Sequence, residues 1–185
     1  PHARLPRAPH AAARRPAPGD TPPPGSTSRP VTAAAALQAG RYQPDTVLQA
    51  PRELALPLTS NKIQNFGGES CSPTGTLSLA DSLRISCNTA FAQLGLDLGD
   101  QALRDQARAF GFGQTLNIPL KVTPSTFPAS LDAPHTAMSA IGQFEDRVTP
   151  LQVAMIASAI ANQGVLMTPY LVAAERSADL QVISR

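Results

Sequence analysis

Residues 78–99 read SLADSLRISCNTAFAQLGLDLG, and the fold is decided by how this stretch is divided. Leu79 and Leu83 are four apart and share a face in a helical register, so a first short helix is expected there. From Asn88 the pattern NTAFAQLGLDLG gives a second, more apolar helix, with Asn88 a suitable N-cap. Between the two lies Ser86-Cys87-Asn88. By itself S-x-N is three common residues, and a helix-linking and capping role would account for it. What surrounds it has to say whether it carries chemistry.

Towards the C-terminus, DQALRDQARAFGFG (100–113) reads as a third helix, capped by Asp100 and ended by Gly111. TPLQVAMIASAIANQG (149–164) is the cleanest helical signal. Thr149 fits the N-cap, Pro150 fits the first helical position, and Gln152 falls where a capping box needs its partner. Gly164 closes that helix. The remainder, VLMTPYLVAAERSADLQVIS (165–184), reads as a two-stranded hairpin, which is marginal alone in water and therefore the start of a sheet. Towards the N-terminus, residues 41–75 are punctuated by Pro44, Pro51, Pro57, Gly67, Gly68 and Pro73 and leave room for one short strand. PPPGSTSRPVTAAAAL (22–37) sets a Gly-Ser turn before an alanine-rich helix closed by Gly40. Ser26 thus stands where a helix N-terminus points N–H groups at developing negative charge. The expected class is α+β, predominantly helical, with little sheet.

Composition narrows the partners. Residues 1–30 hold five of the arginines against one aspartate and nine of the 19 prolines, whereas the rest of the chain is slightly acidic. The basic excess therefore sits in a leading segment without apolar periodicity, which cannot offset its ordering entropy; residues 1–21 are read as disordered and 22–185 as the domain. No basic, aromatic-interleaved face suggests nucleic acid. No signal-peptide h-region or membrane-spanning run is present, the longest nearly apolar stretch being about 151–161. The start at Pro1 suggests a fragment or a processed product. Cys71 and Cys87 have no metal-ligand spacing, and a disulfide or two buried thiols are equally open. GFGQ (111–114) lacks a dinucleotide fingerprint's third glycine and reads as a helix-end turn. His135 has no partner at catalytic spacing and reads as structural. No metal or cofactor is implied.

Taken together, SLADSLRISCNTAFAQLGLDLG, FGFG and IGQFEDRVTPLQVAMIASAIANQGVLMTPYLV (141–172) closely resemble the transpeptidase domain of penicillin-binding proteins, nearest to the class B enzymes that cross-link peptidoglycan. The resemblance covers residues 22–176 and is most specific at 86–95 and 141–171. It implies a partial penicillin-binding, serine β-lactamase-like fold lacking most of its β-sheet. It also implies roles. In the family an S-x-x-K serine attacks a D-Ala-D-Ala stem peptide or a β-lactam while its lysine takes the proton. An S-x-N serine relays a proton to the leaving amine, its asparagine grips an amide, and a K-T-G strand holds the substrate carboxylate. By position Ser26 matches the nucleophile, Ser86 the relay and Asn88 the substrate-binding amide holder. Gln143 in IGQ matches an architectural signature. Family members act outside the cytoplasmic membrane, tethered by an N-terminal anchor of which this sequence has no trace.

Two departures set further expectations. Arg29 occupies the position of the family lysine, and a guanidinium has no accessible neutral form with which to accept a proton. Lys62 and Lys121 do not follow a serine by three, so neither replaces it; Thr59, three before Lys62, is a coincidence. Pro30 disfavours the α conformation at Arg29, which predicts that the helix starts at Pro30 with Arg29 outside it and off the face of Ser26. No K-T-G occurs in residues 1–185, and the family would reach that strand shortly beyond Arg185. The chain is thus expected to be catalytically incomplete, with a non-catalytic cell-wall assembly or binding module as the alternative.

Overall fold

A computed structural model describes residues 19–179 and 181–184. Up to residue 18, the disorder expected at 1–21 lies outside the described residues.

The segment that decides the fold divides as its pattern requires, with one shift in the capping. Helix α2 (Leu79–Arg84) is capped by Ser78, whose hydroxyl accepts from the Asp81 N–H at 3.0 Å. Leu79 is buried but Leu83 is exposed, because so short a helix buries only one turn. Helix α3 (Asn88–Leu98) begins on Asn88 itself, so the N-cap is Cys87 and the Asn88 side chain is free for other work. α3 presents Thr89, Ala90, Phe91, Ala92, Leu94 and Gly95 to the interior. Gly95 explains its close approach to α5 (Ala133–Ser139): a Cβ there would meet the Ala140 Cβ at 2.3 Å. α5 is a helix that the sequence pattern did not reveal. It starts at Asp132, whose carboxylate accepts from the His135 N–H at 3.0 Å.

Around α3 lie α1 (Arg29–Gln38), preceded by a 3-10 turn at Gly25–Ser28, and α4 (Asp100–Ala109), whose N-cap is Gly99 and not Asp100. α6 (Pro150–Ala161) keeps half of its expected capping box. Thr149 Oγ1 accepts from the Gln152 N–H at 3.1 Å, but the Gln152 amide donates to the Phe110 carbonyl at 2.6 Å and so ties α6 to the end of α4.

The strands are short and pair only two by two, all antiparallel. β1 (Val47–Gln49) pairs with β4 (Thr76–Ser78), with Leu48 opposite Leu77; β2 (Glu53–Ala55) pairs with β3 (Lys62–Gln64), with Leu54 opposite Ile63. The terminal hairpin, β5 (Glu175–Arg176) with β6 (Val182–Ser184), is where the sequence placed one, though most of residues 165–174 is irregular. One core gathers Ala33, Ala36, Leu48, Ile63, Phe91 and Ile141 between α1, α3 and the β1–β4 and β2–β3 strand pairs. A second, with Val31, Phe110, Phe112, Val148 and Ile156, lies on the other side of α1. An alanine-rich α1 fits between them because its small side chains let neighbours approach from both faces.

Cys71 and Cys87 form a disulfide, which settles the open choice. It ties the S-x-N triplet to the loop before β4. Reduction, or the double change Cys71→Ser with Cys87→Ser, is expected to lower unfolding stability by about 3 kcal/mol, as a closed loop of this length predicts. Chemical denaturation with and without reductant measures it; coincident midpoints would show that the bridge contributes nothing.

Candidate active site

The residues singled out by sequence converge where the 3-10 turn meets α1 and α3. Ser26 lies in the turn, exposed, and its hydroxyl forms no hydrogen bond among the described residues. Its carbonyl accepts from the backbone N–H of Arg29. Arg29 has φ −58° and ψ −33° and is the first residue of α1, which corrects the expectation that Pro30 would hold it outside the helix. The preceding-residue effect disfavours the α region without forbidding it, and Pro30, in the first turn, has no N–H that the helix would have to satisfy. Ser26 and Arg29 are therefore one turn apart, as S-x-x-K geometry demands.

Arg29 is 2% exposed. Its guanidinium donates from one terminal nitrogen to Ser86 Oγ and from the other to Asn88 Oδ1. Phe91 lies beneath, 5.8 Å from ring centroid to guanidinium carbon, and supports the cation through its π-face. Burial draws the Arg29 pKa below its ordinary value, but a guanidinium stays charged. Its Nε is buried without a partner, and Arg29 forms no ion pair among the described residues. Ser86 sits at φ +64°, a left-handed conformation uncommon outside glycine and found where a site fixes its backbone. Asn88 completes the bridge by donating its amide to the Gln64 carbonyl at 2.7 Å.

Two further residues hold this arrangement and were invisible to pattern reading. Asn65, at the end of β3, uses Oδ1 to accept from the Thr89 N–H at 3.1 Å and the Thr89 hydroxyl at 3.2 Å, while its amide donates to the Glu69 carbonyl at 3.1 Å. It thereby caps the start of α3 from 24 residues away. Gly142 offers its carbonyl to the Gly25 N–H at 3.0 Å and so fixes the turn that carries Ser26. In IGQ it is thus the glycine that carries the architecture; Gln143 is exposed and engages through its backbone N–H to Met138. Lys62 stands apart, paired with Glu53 at 2.9 Å on the β2–β3 hairpin. His135 stacks on Phe144 and pairs with Asp132 at 2.6 Å, a surface arrangement.

The structure thus brings together a serine at a helix start, a cation one turn on, and the S-x-N pair which that cation bridges. The profile of the penicillin-binding protein transpeptidase domain matches residues 11–184, and the chain belongs to that family. It is 45% identical over 166 residues to the peptidoglycan D,D-transpeptidase PbpA of Mycolicibacterium smegmatis, covering 89% of this chain and 34% of the relative. Against the PbpA of Mycobacterium tuberculosis the identity is 43%. Among solved structures, the imipenem acyl-enzyme of M. tuberculosis penicillin-binding protein A superposes with TM-score 0.85 at 42% identity, over 91% of this chain and 39% of that one. The transpeptidase domain from Eggerthella lenta gives TM-score 0.81 at 31% identity, covering 92% and 44%. The chain thus spans about a third of the length of the curated relatives it matches, and its fold is a partial α+β transpeptidase fold with most of the sheet absent from these residues. No helix among the described residues is long and apolar enough to cross a membrane.

Proposed function

We propose that residues 22–185 form the nucleophile-bearing part of a peptidoglycan D,D-transpeptidase domain whose acylation step is withheld by Arg29. Ser26 is the nucleophile, set at the positive end of α1. Ser86 is the proton relay to the leaving amine, and Asn88 holds the substrate amide. The ligands are the D-Ala-D-Ala end of a stem peptide and β-lactams, met outside the cytoplasmic membrane. The observation that carries this reading is the Arg29 bridge to Ser86 and Asn88. It supports an assembled site in which the group that should accept the Ser26 proton has no lone pair to offer. A serine hydroxyl without a base is a poor nucleophile.

Incubation with a fluorescent penicillin, read by gel fluorescence and intact mass, tests it. No adduct is expected. An adduct that forms on the native chain and disappears with Ser26→Ala would overturn the reading. The buried, unpaired charge of Arg29 also favours a second reading, a non-catalytic module that binds cell wall. Sedimentation with peptidoglycan that is lost in Ser86→Ala and Asn88→Ala would support it.

A further inference from the structure

Beneath the turn that carries Ser26 lies a carboxyl group that the site does not use. Asp146 is 1% exposed, and neither of its oxygens has a hydrogen-bond partner. It lines a cavity of about 10 Å³, room for one water at most, together with Pro24, Ser28, Val31, Leu103, Phe112 and Phe127. Ser139 Oγ lies beside it, also buried and outside hydrogen-bond geometry, and favours the ionised form without outweighing burial. A bare carboxylate in such surroundings is too costly to persist, and such a group becomes neutral instead. A metal ion would need several oxygen ligands, and the lining is mostly apolar, so the neutralising species is a proton.

The charged groups on the surrounding elements do not replace it. Arg29, on α1, is committed to Ser86 and Asn88. Arg104, on α4, pairs with Asp100 at 3.1 Å. The imidazole of His135, on α5, lies against the Asp132 carboxylate, and Glu145, the preceding residue, is exposed. Arg147 is adjacent, but it turns its guanidinium to the Phe144 and Asp146 carbonyls. Burial therefore prevails over Arg147 and Ser139, and raises the Asp146 pKa to about 7 from 3.8.

The segment bearing Asp146 is bound directly to the segment bearing Ser26. Gly25 N–H donates to the Gly142 carbonyl at 3.0 Å, and Val148 N–H donates to the Pro22 carbonyl at 3.1 Å. Thr32 Oγ1 donates to the Ala140 carbonyl at 2.8 Å. We infer that Asp146 is a protonation-linked positioning residue: its neutral form seals the Pro22–Ser28 turn onto residues 140–148, and its ionisation loosens that seal and with it the placement of Ser26. The sign follows from linkage. The sealed state holds its proton up to about pH 7, whereas an opened, hydrated carboxyl releases it near 3.8. The seal is therefore fully intact below about pH 4, weakens about tenfold per pH unit up to about 7, and levels off above.

Amide hydrogen exchange of Gly25 and Val148, followed by NMR on the intact chain from pH 5 to 8.5, reads this directly. Ordinary base-catalysed exchange rises tenfold per pH unit. At these two amides the rise is expected to be about a hundredfold per unit below pH 7 and tenfold above it. In Asp146→Asn, a neutral near-isostere, it is expected to be tenfold throughout, while amides of α3 that exchange by local fraying without exposing Asp146 keep one slope in both proteins. A single slope at Gly25 and Val148 in the native chain, or the same break in Asp146→Asn, would overturn the proposal. Should Asp146→Asn not fold, the ¹³C-carboxyl shift of Asp146 decides: a midpoint near 4 removes the basis of the proposal, and one near 7 sustains it.

Discussion

Arg29→Lys is expected to accelerate acylation of Ser26 by a β-lactam by about 10² or more, the scale of a positioned general base. The structure already provides the placement that a base at this position needs. Arg29 is one turn from Ser26, its charged end lies between Ser86 Oγ and Asn88 Oδ1, and Phe91 walls the site below. A lysine there inherits acceptor partners for its N–H groups. It also inherits burial, which disfavours the ammonium and lowers the amine pKa, and no carboxylate among the described residues pairs with this position to hold the charge in place. An amine can then deprotonate the serine; a guanidinium in the same place cannot. The measurement is the rate of covalent labelling by a fluorescent penicillin, confirmed by mass, with Ser26→Ala in the lysine background as the blank. Labelling no faster than in the native chain would mean that Arg29 is not what withholds acylation, leaving the K-T-G strand that residues 1–185 do not contain as the deficit, and the proposed function would lose its mechanism.

Which parts of this site the sequence discloses follows from the range of the interactions. Thr149, Pro150 and Gly164 were legible because a cap acts within one turn of its own helix. The S-x-N triplet was legible through its flanks, whose joint pattern carried the family. Pro30 misled, because a local preference of the residue before proline was outweighed by a buried side chain with two partners some sixty residues on. Asn65 could not be read at all: its neighbours Gly67 and Gly68 announce a turn, but nothing near it announces Thr89. Nor could α5, whose Ala-Pro-His-Thr-Ala-Met-Ser is too short and too weakly patterned to separate from loop. Asp146 is the opposite case. Its neighbours Glu145 and Arg147 make it look like part of a solvated charge run, and only packing shows that the middle residue of the three is buried.

Gly142→Ala is expected to cost about 3 kcal/mol or more in unfolding stability. Gly142 has φ +71°, and an L-residue in that region costs roughly 1–2 kcal/mol. The larger contribution is steric. An added Cβ would stand 2.3 Å from the Gly25 carbonyl oxygen, 2.6 Å from Ser28 Oγ and 2.7 Å from the Gly25 nitrogen. Two of those three atoms are backbone and cannot rotate away. Gly25 cannot readily yield either, since it lies at φ +54° and donates its N–H to Gly142. Overpacking of this kind adds about 1–3 kcal/mol. Gly164→Ala separates the two contributions: Gly164 has φ +88° but nothing within 4 Å of its added Cβ, so it should lose only the conformational part. Equal losses in the two variants, measured by chemical denaturation, would show that the Gly142–Gly25 contact does not hold the turn. A larger loss at Gly142, accompanied by faster exchange of the Gly25 amide, would locate the damage at the backbone that presents Ser26.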